Sequence, residues 1–133
     1  MGRTGFTPEQ VALILLRDGG ICAVCGRKAD TANHRKNRGA GGRPSLNTLD
    51  NGCAICHYCN DLIEQDSVAA ADARALGAKL SDSEPLTTPL WSRFYVQWII
   101  LYPYHCVLTG LTDKANRPDD QLPLYTPDAV AFP

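Results

Sequence analysis

The sequence predicts a small α+β domain closed around a tetrahedral zinc ion, on three observations. Cys22/Cys25 and Cys56/Cys59 are two Cys-x-x-Cys pairs, Thr7-Pro8-Glu9-Gln10 opens an apolar-periodic helical segment, and short runs such as Val96 to Leu101 have the β-branched and aromatic content of strands. Two thiolate turns that far apart need a soft ion to draw them together, and a chain of 133 residues is short enough for such a staple to matter to stability. The 44% hydrophobic content is ordinary for one compact globular chain. Cys53 and Cys106 stand outside the pairs, and Met1-Gly2-Arg3-Thr4 carries no apolar leader, so a reducing cytoplasm is expected rather than a secreted disulfide scaffold. Val96 to Leu101 is too short to span a bilayer and reads as a buried strand, with no membrane partner.

The elements follow in order. Thr7 is an N-cap, Pro8 takes the first helical position and Gln10 completes a capping box, after which Val11, Ile14 and Leu15 recur at helical spacing up to a stop at Gly19-Gly20. Ile21 to Gly26 is a metal knuckle. Thr31 to Arg35 is extended, Gly39 to Ser45 is a polar Gly-rich loop, and the chain returns through Leu46 to Leu49 into a second knuckle over Cys53 to Cys59. Leu62, Ile63 and the alanine-rich run to Leu76 read as one helix stopped by Gly77, with Asn60 in its first turn. Ala78 to Leu80 and Tyr95 to Leu101 read as a strand pair separated by a turn-rich Ser81 to Pro89. Beyond Gly110 the prolines Pro118, Pro123, Pro127 and Pro133 predict an extended or poorly ordered tail. The division expected is a core over 1–76, a strand extension over 77–111 and a tail over 112–133.

A net charge of −1 argues against a protein that coats nucleic acid, but the charge is segregated. Between Arg27 and Arg43 six basic residues face one acid, Asp30, whereas Asp61 to Glu84 holds six acids against Arg74 and Lys79. The basic face surrounds His34, which lies between the knuckles. An imidazole that is mostly neutral near pH 7 suits a general base for activating water. Arg35, Lys36, Arg38 and Arg43 are the expected phosphate contacts. His57 is expected to point outward, and His105, Cys53 and Cys106 to pack. Trp91, Phe94, Tyr95 and Trp98 are expected to fill the core between the later strands and the first helix.

The run Cys22-Ala23-Val24-Cys25-Gly26, then Asn33-His34-Arg35-Lys36-Asn37-Arg38-Gly39 with Gly41-Gly42, then Asn51 and Cys56-His57-Tyr58-Cys59-Asn60, resembles the HNH endonucleases, or ββα-metal nucleases. The likeness is strongest to the small zinc-bearing versions encoded by actinobacterial phages and covers roughly residues 5 to 76. It implies a structural zinc on Cys22, Cys25, Cys56 and Cys59, His34 as general base, and Asn51 tying the loop to the hairpin to orient that base. It also implies that Asn33 and Asn60 hold a catalytic Mg²⁺ or Mn²⁺, with DNA as substrate and a 3′-hydroxyl and a 5′-phosphate as products. The setting it implies is a phage-infected or bacterial cytoplasm, with phage packaging proteins as further partners and a monomer or homodimer as the working form.

Two departures stand out. Asn33 falls where the family usually has Asp or His, and Asn60 where its last His usually stands. Magnesium prefers hard oxygens including one or two carboxylates, and losing the sole carboxylate removes several kcal/mol of attraction in a partly dry site. Affinity is therefore expected to be weak until a bound phosphate adds its own oxygen, with Asp61 and Asp30 as secondary candidates. The alternatives are a catalytically weak or inactive zinc-fold module binding DNA or protein, and a junction resolvase of the endonuclease VII type.

Overall fold

The computed structural model describes residues 5–37, 44–117 and 129–131. Helix α1 (Pro8–Arg17) leads into strand β1 (Thr31–His34), two short 3₁₀ turns (Pro44–Leu46 and Leu49–Asn51) and strand β2 (Gly52–Ile55). Helices α2 (His57–Gln65) and α3 (Ser67–Ala75) follow, then strands β3 (Leu90–Ser92), β4 (Gln97–Leu101), β5 (His105–Leu108) and β6 (Ala129–Ala131). β1 and β2 form an antiparallel pair, and β3 to β6 form a second antiparallel sheet in sequential order. The fold is the expected α+β class, with the four paired cysteines clustered.

α1 starts as its sequence dictates. The Thr7 hydroxyl accepts the Gln10 N–H and the Gln10 side chain accepts the Thr7 N–H, so two otherwise orphaned donors are satisfied. The helix ends at Arg17, and Gly19 and Gly20 turn the chain with φ of 69° each. Its last turn is pinned to β2 through a buried ion pair. Arg17 is bidentate to Asp18 at 2.7 and 2.8 Å and also donates to the Leu49 and Gly52 carbonyls, while Asp18 accepts the Ala54 N–H. Both charges are thus satisfied, which a buried pair requires.

The β1–β2 register pairs Asn33 with Cys53 and His34 with Gly52. Gly52 has a structural reason: a Cβ there would collide with Ile14 and crowd Phe6. Phe6 uses the space to stack on the His34 ring, with centroids 4.0 Å apart and planes 5° from parallel.

Several expectations are corrected. The second knuckle begins at Cys56, because Cys53 belongs to β2 and points into the core. The expected single helix starts earlier, at His57, and breaks at Asp66, whose carboxylate accepts the Ala69 N–H and so caps α3. Gly77 stops α3 with φ of 78°. Ala78 to Leu80 forms no strand with β4; Leu80 instead makes one parallel bridge to Lys36. The strand pair is a sheet of four, since the chain past Gly110 returns to place β6 on β5 through Cys106↔Val130. Trp91 and Trp98 pack edge-to-face with Leu76 in a cluster of their own, and half-exposed Phe94 lies over Gly19. Among the described residues no helix is long and apolar enough to cross a membrane.

The largest correction concerns Arg35. Its side chain is fully buried, and its guanidinium donates to the carbonyls of Gly77, Asp50, Leu86 and Thr88. Burial draws its pKa down to about 10, still charged at neutral pH. A group committed to four backbone oxygens is a clamp on the 77–88 segment and not a DNA contact. Replacing Arg35 by Met leaves those carbonyls without their donors, so chemical denaturation should show a loss of about 3 kcal/mol or more. A loss under about 1 kcal/mol would refute the clamp.

Candidate metal centre and cleft

The first knuckle is a tight turn closed by the Cys22 N–H on the Arg27 carbonyl at 2.7 Å and the Gly26 N–H on the Cys22 carbonyl at 3.0 Å. It is held to β2 by the Ala23 N–H on the Ala54 carbonyl, and to the second sheet by Arg93, which donates to the Ala23 and Val24 carbonyls. The second knuckle is the N-terminus of α2, where the Cys56 sulfur is the N-cap and accepts the Cys59 N–H at 3.4 Å. Arg27 from one knuckle lies over the Tyr58 ring of the other, 5.7 Å from its centroid.

These turns bring the Sγ atoms of Cys22, Cys25, Cys56 and Cys59 within 4.8 Å of one another. All four are free thiols, and the Cys25–Cys56 sulfur separation of 3.8 Å is far too long for a disulfide. It matches the edge of a tetrahedron with Zn–S bonds of about 2.3 Å. Backbone N–H groups point at sulfur on Cys22, Cys25 and Cys56, as thiolates need. Burial raises the pKa of Cys22 and Cys59; for Cys25 burial is outweighed by hydrogen bonds from Arg27, which bring it to about 6. The donor set fits a metal such as zinc.

Because Cys59 lies in the first turn of α2, the next residue, Asn60, is fixed relative to the cluster. It faces β1 across an open cleft of about 190 Å³ lined by Ala32, Asn33, His34, Asn37, Asn60, Glu64 and Lys79. Asn33, His34 and Asn60 therefore come together as expected. The Asn33 amide nitrogen donates to the Ala78 carbonyl at 2.8 Å, which fixes the side chain and leaves Oδ1 as its acceptor atom. His34 is held by Phe6 on its face and by Asn47, whose Oδ1 lies 2.8 Å from Nε2. Asn47 is held in turn by Gln10, which donates to its carbonyl. The capping box of α1 thus reaches the histidine through one residue.

Asn51 is fully buried and does not line the cleft. Its Oδ1 accepts the Lys36 N–H, and its Nδ2 donates to the Lys36 and Leu46 carbonyls, so it ties Lys36 to Leu46. Arg38 and Arg43 lie outside the described residues. Lys36 is partly exposed and its ammonium donates to the Asp82 carbonyl. Asp30 is engaged by exposed His57 at 2.9 Å, which raises the His57 pKa and lowers that of Asp30. Neither Asp30 nor Asp61 lines the cleft. Cys53 and Cys106 are buried packing thiols, both pushed up to about 11 by burial.

Sequence reasoning missed four contributors: Phe6, Asn47, Glu64 and Lys79. Glu64 had a readable signal, since it lies one helical turn after Asn60 on the same face and supplies the carboxylate that the two amides lack. No family model, curated protein or solved structure matches the chain.

Cys56→Ser removes one of four sulfur donors while leaving a hydroxyl able to cap α2, so it tests the metal site rather than the cap. Metal analysis and circular dichroism should show loss of the metal and of cooperative folding, and a folded variant without metal would remove the structural role of the cluster.

Proposed function

We propose that the protein is an HNH-type endonuclease that hydrolyses DNA phosphodiester bonds with one divalent ion, and that Cys22, Cys25, Cys56 and Cys59 hold a structural zinc. The convergence of Asn33, His34 and Asn60 on one cleft, between a strand and a helix both fastened to the cysteine cluster, carries this reading. The residues fit a divalent ion: Oδ1 of Asn33, the side-chain oxygen of Asn60 and the Glu64 carboxylate are hard donors within one cleft. A bound Mg²⁺ or Mn²⁺ would neutralise charge on the non-bridging and leaving oxygens.

The rest of the mechanism belongs to the side chains. With Nε2–H donated to Asn47, the His34 lone pair is at Nδ1, where it accepts a proton from the attacking water. The water oxygen bonds to phosphorus as the bond to the 3′ oxygen breaks, giving a 3′-hydroxyl and a 5′-phosphate. Phe6 and Asn47 keep the ring from rotating, so the base does not search for its geometry. Asn51 holds Lys36 and Leu46 together, and Lys36, Arg38 and Arg43 are the proposed phosphate contacts.

The neutrality of the Asn33 and Asn60 amides favours one rival, a module that binds DNA without cutting it. Nicking of supercoiled plasmid by the zinc-loaded chain decides between them. Cutting is expected with added Mg²⁺ or Mn²⁺ and not without an added divalent ion, and His34→Ala should lower the rate about 100-fold or more with zinc content unchanged. Absence of cutting on duplex and branched DNA would favour the module, and preference for branched DNA a resolvase.

A further inference from the structure

We propose that Lys79 is the cation with which the cleft grips the scissile phosphodiester, and that Glu64 holds its ammonium in place until DNA and a divalent ion enter. The proposal rests on the nuclease reading of the same cleft. It begins from the backbone. Segment 77–80 runs alongside β1 and its continuation: the Leu80 N–H donates to the Arg35 carbonyl at 2.7 Å, and Leu80 bridges Lys36 in parallel. The Ala78 carbonyl accepts the Asn33 amide at 2.8 Å, and the Gly77 carbonyl accepts Arg35 Nε at 2.9 Å. The residues on either side of His34 therefore fix the residues around Lys79.

Ala78 and Leu80 are buried, at 0% and 4% exposure, and Lys79 between them lines the cleft. Among the described residues lining that cleft, Lys79 alone carries a fixed positive charge. Arg35, which sequence reasoning had nominated for this work, is buried under the 77–88 segment and acts by positioning Lys79.

The Glu64 carboxylate lies 3.7 Å from the Lys79 ammonium, and the two side chains are 58% and 17% exposed. A pair with one partner so exposed is weak, which suits it to exchange. A phosphodiester offers the ammonium an anionic partner, and a divalent ion offers the carboxylate a harder one. Both charges thus leave each other for the substrate complex. Lys79 then sits against a non-bridging oxygen, where negative charge must be stabilised in the transition state.

The test uses the zinc-loaded full chain, its Lys79→Met, Lys79→Arg and Glu64→Gln variants, and the Glu64→Gln/Lys79→Met double variant. Fluorescence anisotropy with a labelled DNA duplex in buffer without added Mg²⁺ or Mn²⁺ reads binding without the catalytic ion while zinc is retained, and plasmid nicking with Mn²⁺ reads chemistry. Lys79→Met should reduce the slope of log affinity against log salt by about 0.9, the loss of one phosphate contact. Nicking should fall roughly tenfold or more and be largely restored in Lys79→Arg. Glu64→Gln should tighten metal-free binding severalfold, and the gain should vanish in the double variant. A Lys79→Met chain that binds and cuts like the native one, with the native one active, overturns the role of Lys79 and leaves the nuclease intact. If the native chain binds without cutting, the nuclease reading fails, and the salt slope alone decides for or against the phosphate contact. If it does not bind DNA, both fall.

Discussion

Four thiols gathered from two turns 31 residues apart are the constraint on which the rest of the molecule depends. One turn is bonded to β2 and to the second sheet, and the other is the first turn of α2, so the cluster sets how that helix lies against the β1–β2 pair. The cleft exists because of that angle. Asn60 and Glu64 project from α2, while Asn33 and His34 project from β1, and neither element is long enough to hold a partner unaided. On the proposed zinc reading, a contribution of about 10–16 kcal/mol is comparable with the whole stability of a domain this size. The ion would then decide whether the cleft forms at all.

A second device is the use of buried arginines to organise backbone. Arg17 and Arg35 together donate to six carbonyls, at Leu49 and Gly52 for the first and at Asp50, Gly77, Leu86 and Thr88 for the second. Irregular segments that cannot satisfy their own carbonyls gain partners this way, and the loop after α3 is held at Gly77, Leu86 and Thr88. This matters to the chemistry because the loop bears Lys79. The same economy appears at Asn51, a single buried amide that ties Lys36, just past β1, to Leu46.

What could be read from sequence was what is encoded within a few residues. The capping box at Thr7, the Cys-x-x-Cys turns and the stop at Gly77 all depend on local geometry, and all appear in the fold, whereas the linking role of Asn51, which the family resemblance implies, is made by contacts to Lys36 15 residues away. The break at Asp66 was hidden because an alanine-rich run is uniformly good helix, so only the cap bond to Ala69 marks the division. Arg35 was misread because charge counting places it in a basic cluster, whereas its environment is made by carbonyls lying 15 to 53 residues further on. Glu64 and Lys79 were counted as parts of an acidic region. Their meaning comes from the loop that folds back along β1, which no local pattern announces.

The cleft therefore holds one carboxylate, one ammonium, one imidazole and three amides, a balanced set in which a divalent ion and a phosphodiester would complete each other's coordination. Whether a divalent ion enters there can be read directly by titrating Mn²⁺ into the zinc-loaded, ¹⁵N-labelled chain and following paramagnetic broadening of its amide signals. The account predicts that the signals of Asn33, His34, Asn60 and Glu64 broaden first, with zinc retained. Broadening confined to the surroundings of exposed Asp72 on α3, with those four signals left sharp, would contradict it.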